Sequence, residues 1–180
     1  MSKEKIVDQE ATALNKFGVI TYGRDGKQAG MTECNGFALS KKFEKSLTAT
    51  ETIKSSAVLA LFTTPIQVIA APGAGYAIVV HRLVIKHGTG TAYSGIAAGE
   101  DLVLKYTDAS GAEVSLTIET TGFLDQATAQ IRMAGGVNTS LTPVENAAVV
   151  LHLLTGNITT GTFDLQVFVE YDIIPTDFTV

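Results

Sequence analysis

The stretch TTPIQVIAAPGAGYAIVVHRLVIKHG, residues 63–88, places a glycine-rich turn between two apolar runs. A phosphate-binding loop would need a strand before the glycines and a helix after them, so that the helix N-terminus meets the anion. The run that follows Gly75 is instead rich in β-branched residues, and no Lys-Ser/Thr pair follows the glycines. The stretch therefore predicts two strands joined as a β-hairpin, with Gly73 and Gly75 supplying the backbone freedom of the turn.

A second pair of strands is predicted by alternation between apolar and polar residues. Residues 101–107, DLVLKYT, and residues 113–119, EVSLTIE, flank the turn sequence DASG at residues 108–111. Because side chains alternate across a strand, one face of the second run should point to the core. These core-facing residues are predicted to be Val114, Leu116 and Ile118.

The C-terminal third contains two more strand patterns. Residues 163–171 alternate, and Phe168 interrupts the polar face, so we interpret it as a residue of an oligomer interface. Residues 146–156, NAAVVLHLLTG, form a nearly continuous apolar run, which predicts a strand covered on both faces. The core-facing residues of the alternating run are predicted to be Phe163, Leu165, Val167, Val169 and Tyr171.

Helical signals are few. Residues 55–62, SSAVLALF, suggest a short helical turn capped by Ser55 or Ser56, and residues 6–16 suggest another. The alternation of residues 123–134 is too weak to assign an element. Seven or eight short strands separated by turn residues predict an all-β fold, a jelly-roll-like antiparallel β-sandwich.

Composition suits a protein that buries surface in an assembly. The chain has 180 residues, of which 46% are hydrophobic and 17% are charged. Its single cysteine, Cys34, cannot form an intrachain disulfide. The first residues lack a signal-peptide pattern, and no apolar run reaches the roughly 18 residues of a membrane span. We therefore expect assembly in a host cytoplasm, with no membrane contact.

Charge divides the chain near residue 46. Residues 1–45 carry 8 basic and 6 acidic residues, a net charge of +2, whereas residues 46–180 carry 5 and 12, a net charge of −7. The first segment is also rich in glycine, yet aromatic residues recur in it, unlike in a disordered linker. Two interpretations remain open for residues 1–45. They are an extended N-terminal arm that becomes ordered against its own body or against a neighbour, or one or two extra strands of the sandwich formed by residues 46–180.

The arm interpretation assigns a binding role to the first segment. Basic residues would meet an acidic protein surface, and aromatic residues would anchor the contact. The net charge of −7 on residues 46–180 disfavours binding of nucleic acid. The residues expected to bind the partner are Phe17, Phe37, Lys41, Lys42, Phe43 and Lys45.

No pattern predicts catalysis or a cofactor. The three histidines, His81, His87 and His152, lack partners at metal-ligand spacing. The carboxylates, including the Glu100-Asp101 pair, are expected to face solvent on strands rather than converge on a cleft. No calcium-loop motif surrounds Asp108 or Asp125, although both are loop residues whose carboxylate oxygens could bind a calcium ion. We expect no enzyme activity, no cofactor and no metal.

The turn and strand motifs together resemble a group of small structural proteins from tailed bacteriophages and prophages. The resemblance covers about residues 50 to 175 and leaves residues 1–45 outside it. The residues that carry it are Thr64-Pro65, Ala71-Pro72-Gly73-Ala74-Gly75, Tyr106-Thr107-Asp108, Asn146-Ala147, Leu151, Gly161, Val167, Val169 and Tyr171.

This resemblance implies a capsid cement or decoration protein with a jelly-roll-like body and no catalytic residue. Such a protein would lie on the capsid surface of the virion and bridge neighbouring major capsid subunits. A homo-oligomer is expected, and the resemblance favours a trimer over a dimer. The alternative is a receptor- or glycan-binding module of a tail fibre or baseplate. Its exposed aromatic candidates would be Tyr76, Tyr93, Phe123 and Phe178.

Overall fold

The computed structural model describes residues 46–137 and 142–177, together with two short strands at residues 20–22 and 28–31. The chain divides into two units, residues 1–45 and residues 46–180. In the first unit, β1 (Ile20–Tyr22) and β2 (Gln28–Met31) pair antiparallel in a sheet of their own. Since the rest of this unit lies outside the described residues, the extended arm stays a prediction, and so does the helix at residues 6–16.

The second unit is a β-sandwich, which confirms the predicted fold class. Its eight described strands form two antiparallel four-stranded sheets. Sheet one has the order β3-β10-β5-β8, and sheet two has the order β4-β9-β6-β7. The strands are β3 (Leu47–Ile53), β4 (Ile66–Ile69), β5 (Tyr76–His87), β6 (Asp101–Tyr106), β7 (Ile118–Glu119), β8 (Gln130–Gly135), β9 (Val149–Leu153) and β10 (Leu165–Pro175).

The strand order is that of a jelly roll. Successive strands from β3 to β6 alternate between the two sheets, β7 returns beside β6, and β8 to β10 alternate again. Each strand therefore contributes to a shared core, and most hydrogen-bonded neighbours are distant in sequence. Among the described strands of the sandwich, β6 and β7 alone are both consecutive and paired, which confirms the hairpin predicted around residues 108–111.

The glycine-rich turn at residues 72–75 joins two strands, but the predicted hairpin is wrong. Strand β4 pairs with β9 in sheet two, whereas β5 pairs with β10 and β8 in sheet one. The turn is an arch between sheets, with φ values of 105° at Gly73 and 80° at Gly75. Side chains replace the missing hairpin bonds, because Gly73 donates to Asn146 Oδ1 (3.0 Å) and Gly75 donates to Glu145 Oε1 (2.8 Å).

The predicted alternation of residues 113–119 is wrong in part. Val114 and Ile118 are buried as expected, but Leu116 is 46% exposed and Ser115 is buried. The segment turns a corner between the sheets: Val114 N–H donates to Leu104 O in β6 (2.8 Å), and Leu116 N–H donates to Gly135 O in β8 (2.9 Å). Because the backbone changes partner within three residues, the simple two-residue period is lost.

The other strand predictions are confirmed. All five residues of β9 are buried, as expected for a strand covered on both faces. In β10, Leu165, Val167 and Val169 are buried while Gln166 is exposed. Phe168 is half-buried and lies on the same outer face as Gln166, as the alternation predicts. Strand β5 contains a β-bulge at His81, so Val80 and Leu83 both reach the core although they lie three residues apart.

One short helix, α1 (Ser55–Val58), follows β3. Its N-terminus is capped from a distance rather than by Ser55 or Ser56, so the predicted cap is wrong. The backbone N–H of Ser55 donates to Asp164 Oδ1 (3.0 Å), and Lys54 Nζ contacts Asp164 Oδ2 (2.7 Å). These hydrogen bonds, led by the Lys54 ammonium, hold the pKa of Asp164 below its ordinary value. No helix of the described residues is long and apolar enough to cross a membrane.

Candidate functional site

The outward side chain of Phe168 lies in the middle of sheet one. Its register partners are Thr50 in β3 on one side and Val84 in β5 on the other. Val84 is in turn opposite Met133 in β8, so the three apolar side chains form a row across the sheet. Lys86 Nζ lies 5.3 Å from the centroid of the Phe168 ring, close enough for a cation–π contact.

Two residues of β8 extend this row into an apolar patch. Met133 is 66% exposed and Ile131 is 61% exposed, the highest values among the large apolar residues described. Both point to the outer face, since Met133 is opposite Val84 and Ile131 is opposite Lys86. We call Val84, Ile131, Met133 and Phe168 the sheet-one patch. Large apolar side chains grouped on an open sheet face are typical of a protein-contact surface.

Charged pairs lie beside the sheet-one patch on the same sheet. Arg82 Nη2 contacts Glu170 Oε2 at 3.0 Å, and His81 Nε2 lies 2.9 Å from Asp172 Oδ2. These side chains are between about two-fifths and just over half exposed, so each pair contributes little to stability. An apolar centre beside polar residues is the usual arrangement of a protein–protein interface.

Both edge strands of sheet one, β3 and β8, have one side that pairs with no other strand of the described residues along most of its length. Strand β3 pairs only with β10, and β8 pairs with β5. The far end of β8 is covered by the chain itself, through the Leu116 N–H bond to Gly135 and a bridge between Ser115 and Gly136. The stretch of β8 that stays open therefore contains both exposed apolar residues of the sheet-one patch. Edge strands of this kind are templates for pairing with another chain.

A polar groove of about 640 Å³ lies at one end of sheet one. It is lined by Thr52, Lys54, Lys86, His87, Gly88, Thr89, Thr162, Phe163, Asp164 and Gln166. His87 is buried and acts structurally: its ring stacks on Phe163 (centroids 4.0 Å apart), and its nitrogens lie 2.8 Å from Gly88 O and 3.2 Å from Phe123 O. Asp164, the carboxylate of the groove, is already engaged by Lys54 and the α1 N-terminus.

The expectation that the carboxylates face solvent is wrong for Glu100. Its side chain is 2% exposed, and its Oε1 accepts a hydrogen bond from Thr155 N–H (3.1 Å). Asp108 accepts hydrogen bonds from the hydroxyl and backbone N–H of Ser110, which lower the pKa of its carboxyl. Within residues 46–137 and 142–177, no three His, Cys, Asp or Glu side chains are grouped as a metal site would require.

The aromatic residues expected in a glycan-binding module are mostly inaccessible. Tyr93 is 2% exposed and Phe123 is fully buried, so neither can stack on a sugar. The Tyr93 hydroxyl donates to Phe163 O (2.7 Å), and burial, together with the nearby Asp164 charge, raises its pKa. Tyr76 is 47% exposed, and Phe178 lies outside the described residues. The predicted aromatic cluster therefore is not formed by the described residues.

The arm residues predicted to bind a partner all lie outside the described residues. They are Phe17, Phe37, Lys41, Lys42, Phe43 and Lys45. The binding role of these six stays a prediction, as does the interface role of Phe168. The structure adds that Ile131 and Met133 lie on the same outer face as Phe168, two residues that the sequence analysis did not predict at this surface. The i, i+2 spacing of these two in QIRMAGG was the available signal.

The buried His152 is expected to make the stability of the sandwich depend on pH. It is 2% exposed, its Nε2 lies 3.1 Å from Phe62 O, and its Nδ1 has no hydrogen-bond partner among the described residues. Burial lowers the pKa of this imidazole; the positive charge of Lys105 acts in the same direction, while the Phe62 carbonyl and Glu100 oppose it. The ring in the fold therefore takes up its proton at a lower pH than in the unfolded chain, where it gains one below about pH 6.5.

We expect the free energy of unfolding to fall as the pH drops below about 6.5, by up to about 1.4 kcal/mol per pH unit for one proton, until the ring is protonated in the fold as well. Urea titrations between pH 7 and pH 5 measure this slope. The variant His152→Phe cannot ionise there and should show a shallower slope, whereas His81→Gln keeps His152 and should keep the steep one. An equal slope in His152→Phe and the parent chain would contradict the assignment.

No protein-family model and no curated protein matches the chain. Among solved structures, a chain of the cyanophage Pam1 capsid asymmetric unit is similar over 69% of this chain and 80% of its own length, with 15% sequence identity and a TM-score of 0.39. A similarity of this size does not define a shared function. The described residues form a jelly-roll β-sandwich whose sheet one carries an exposed apolar patch.

Proposed function

We propose that this protein is a structural component of a bacteriophage virion, a cement or decoration protein that binds the capsid surface and bridges neighbouring major capsid subunits. The observation that carries the proposal is the sheet-one patch, apolar side chains presented on an open face beside an open edge strand. A protein with this surface is suited to bind other proteins. The motifs that resemble small phage structural proteins indicate which kind of assembly.

The role is mechanical rather than catalytic. Within the described residues, the buried Glu100 and the groove-lining His87 are both held by backbone groups of the sandwich. The jelly roll is an architecture used by viral capsid proteins and lectins, among others. Because a fold by itself does not define a function, the proposal depends on the contact surface and on the motif resemblance.

The partners are the major capsid protein and further copies of this chain, with a trimer preferred to a dimer. An oligomer that touches several shell subunits gains avidity from modest individual contacts. The basic residues of the first unit would face an acidic shell surface and speed the encounter. The glycan-binding alternative receives less support, because Tyr93 and Phe123 are buried.

The test is decoration of isolated shells. The full chain, added to capsids of the encoding phage that lack it, should bind at regular surface positions visible by electron microscopy. A variant without residues 1–45 should fold, since the described sandwich has its own core, but should fail to decorate, because the arm is proposed as the main attachment device.

Circular dichroism and thermal unfolding of the truncated chain provide the control for folding. A truncated chain that folds and decorates as well as the full chain would remove the attachment role of residues 1–45. A full chain that binds tail tips or glycans but not shells would overturn the decoration proposal and favour the alternative.

A further inference from the structure

We infer that the sandwich assembles with a second copy of itself, head to tail, by pairing the open edge of β8 with the open edge of β3 of the neighbour. This inference rests on the proposed oligomer and deepens it by naming the contact. It starts from sheet one, where β3 and β8 are the two edges of a four-stranded antiparallel sheet and are open among the residues that the structure describes. With four alternating strands, the two edges run in opposite directions, so β8 and a neighbour's β3 meet antiparallel when the sheets share one orientation.

Edge strands are commonly protected against pairing by charged side chains, including inward-pointing ones, by prolines or by bulges. Strand β8 contains no proline, and its single inward-phase charge opposes pairing only with an edge that carries the same charge. The one charged residue of β8 is Arg132, and its side chain turns back over the chain: Nη2 donates to Gly122 O (2.8 Å), and the guanidinium carbon lies 5.6 Å from the Phe123 ring centroid. The outer face of the strand is left with Ile131 and Met133, both more than 60% exposed.

The side-chain phases of the two edges match in one register. Arg132 of β8 lies on the core-facing side of the sheet, because its register partner in β5 is the buried Ile85. Glu51 of β3 lies on the same side, because its register partner in β10 is the buried Val167. Placing Arg132 beside Glu51 of the neighbour joins opposite charges. The same register puts Met133 opposite Thr50, and Ile131 opposite Thr52, on the outer face.

This register also gives Phe168 a partner. Within each copy, Thr50 is opposite Phe168, and Met133 is opposite Val84. The apolar row of one copy therefore continues through Thr50 into the Phe168 of the next, which covers part of the exposed Met133 side chain. Contact between the Met133 sulfur and the Phe168 ring of the next copy, together with burial of Met133, would stabilise the interface between the two copies.

Charge also discriminates against twofold pairing. A β8–β8 contact that keeps Ile131 opposite Met133 would place Arg132 opposite its own copy. A β3–β3 contact centred on Glu51 would place two carboxylates opposite each other. Like charges directly opposite are unfavourable in an antiparallel pair, so the head-to-tail contact is favoured. A head-to-tail contact closes into a ring when the rotation between copies permits it, which agrees with a trimer.

The first test is a charge exchange in the full chain, with mass in solution as the readout. The parent chain should have the mass of three copies. Glu51→Lys should convert it to a monomer, because the new lysine would lie beside Arg132 of the neighbour. The exchange should not disturb the fold of one copy, since Glu51 is exposed and has no ion pair among the described residues. Adding Arg132→Glu to Glu51→Lys should restore the oligomer. Glu119→Lys, an exposed strand carboxylate on sheet two, is the matched control and should leave the mass unchanged. A monomeric parent chain, or a Glu51→Lys variant that keeps its oligomeric mass, would overturn the inference.

The second test is disulfide formation and stays decisive if Arg132→Glu unfolds. In a chain with Cys34→Ser, Thr50→Cys with Met133→Cys should form intermolecular disulfides, because directly opposite Cα atoms lie within disulfide reach. Thr48→Cys with Ile131→Cys, four positions out of register, should not. Cross-linking by the second pair but not the first, or dimers formed by Met133→Cys alone, would contradict the β8–β3 contact. Shell decoration is measured separately, so the failure of this inference and the failure of the decoration role are distinguishable.

Discussion

Replacing Leu151 with alanine is expected to lower the free energy of unfolding by about 2–5 kcal/mol. Leu151 is fully buried in β9, a central strand of sheet two, where it is opposite Leu104 in β6 and Ile66 in β4. Truncation removes buried methyl groups and leaves a cavity that the two flanking strands cannot close without breaking their ladders. Urea titration followed by far-UV circular dichroism measures the loss.

Leu116→Ala is the matched control for this prediction. Leu116 is a leucine of the same unit but is 46% exposed at the corner between β6 and β8. Its replacement should cost less than about 1 kcal/mol, as is usual for surface positions. If both leucines cost the same, the assignment of Leu151 to the core and Leu116 to the surface would be wrong.

Gly136→Ala is expected to destabilise the sandwich by about 1–3 kcal/mol or more, the range for forced overpacking. An added Cβ at this position would overlap the carbonyl oxygen of Val80 in β5. The backbone there is held close, because Gly136 N–H donates to His81 O (2.8 Å) at the bulge of β5. Relief requires β8 to move away from β5, which breaks the ladder between them.

The neighbouring Gly135 provides a control at a distance of one residue. An added Cβ at Gly135 meets nothing within 4 Å, so Gly135→Ala should leave the midpoint of thermal unfolding nearly unchanged. The two alanine variants have identical composition, so their difference isolates the close approach at Gly136. Equal midpoints for the two variants would show that β5 and β8 are not in this contact.

Part of the candidate site was predictable from sequence. Phe168 breaks the polar face of an otherwise regular alternation, and this local anomaly marked it as a surface aromatic residue. Its neighbours were not predictable in the same way. Ile131 and Met133 lie in a stretch with weak alternation, and their position beside Val84 and Phe168 depends on which strands pair in sheet one.

The same distinction applies to the polar groups. The cap of α1 comes from Asp164, more than 100 residues away along the chain. Glu100 was expected to face solvent, yet it is buried where its carboxylate accepts a bond from Thr155. Neither contact has a local sequence signal, because each depends on a partner that the fold brings from another strand or loop.

The sequence by itself determined where six of the eight described sandwich strands lie, which residues most of these six bury, and the hairpin between β6 and β7. No sequence pattern located β3 or β8. These features depend on the two-residue period and on turn residues, so near neighbours along the chain are enough to specify them. It also determined that glycine is needed at Gly73 and Gly75, where φ is positive.

Only the tertiary structure decided how the strands pair. The apolar runs before and after the glycine-rich turn can each bury one face in a hairpin or in opposite sheets, and alternation is the same in both cases. The jelly roll separates β4 from β5 because each forms its ladder with a distant strand, β9 or β10. Pairing depends on the sum of long-range contacts across the whole core, whereas periodicity reports only which side of a strand is buried.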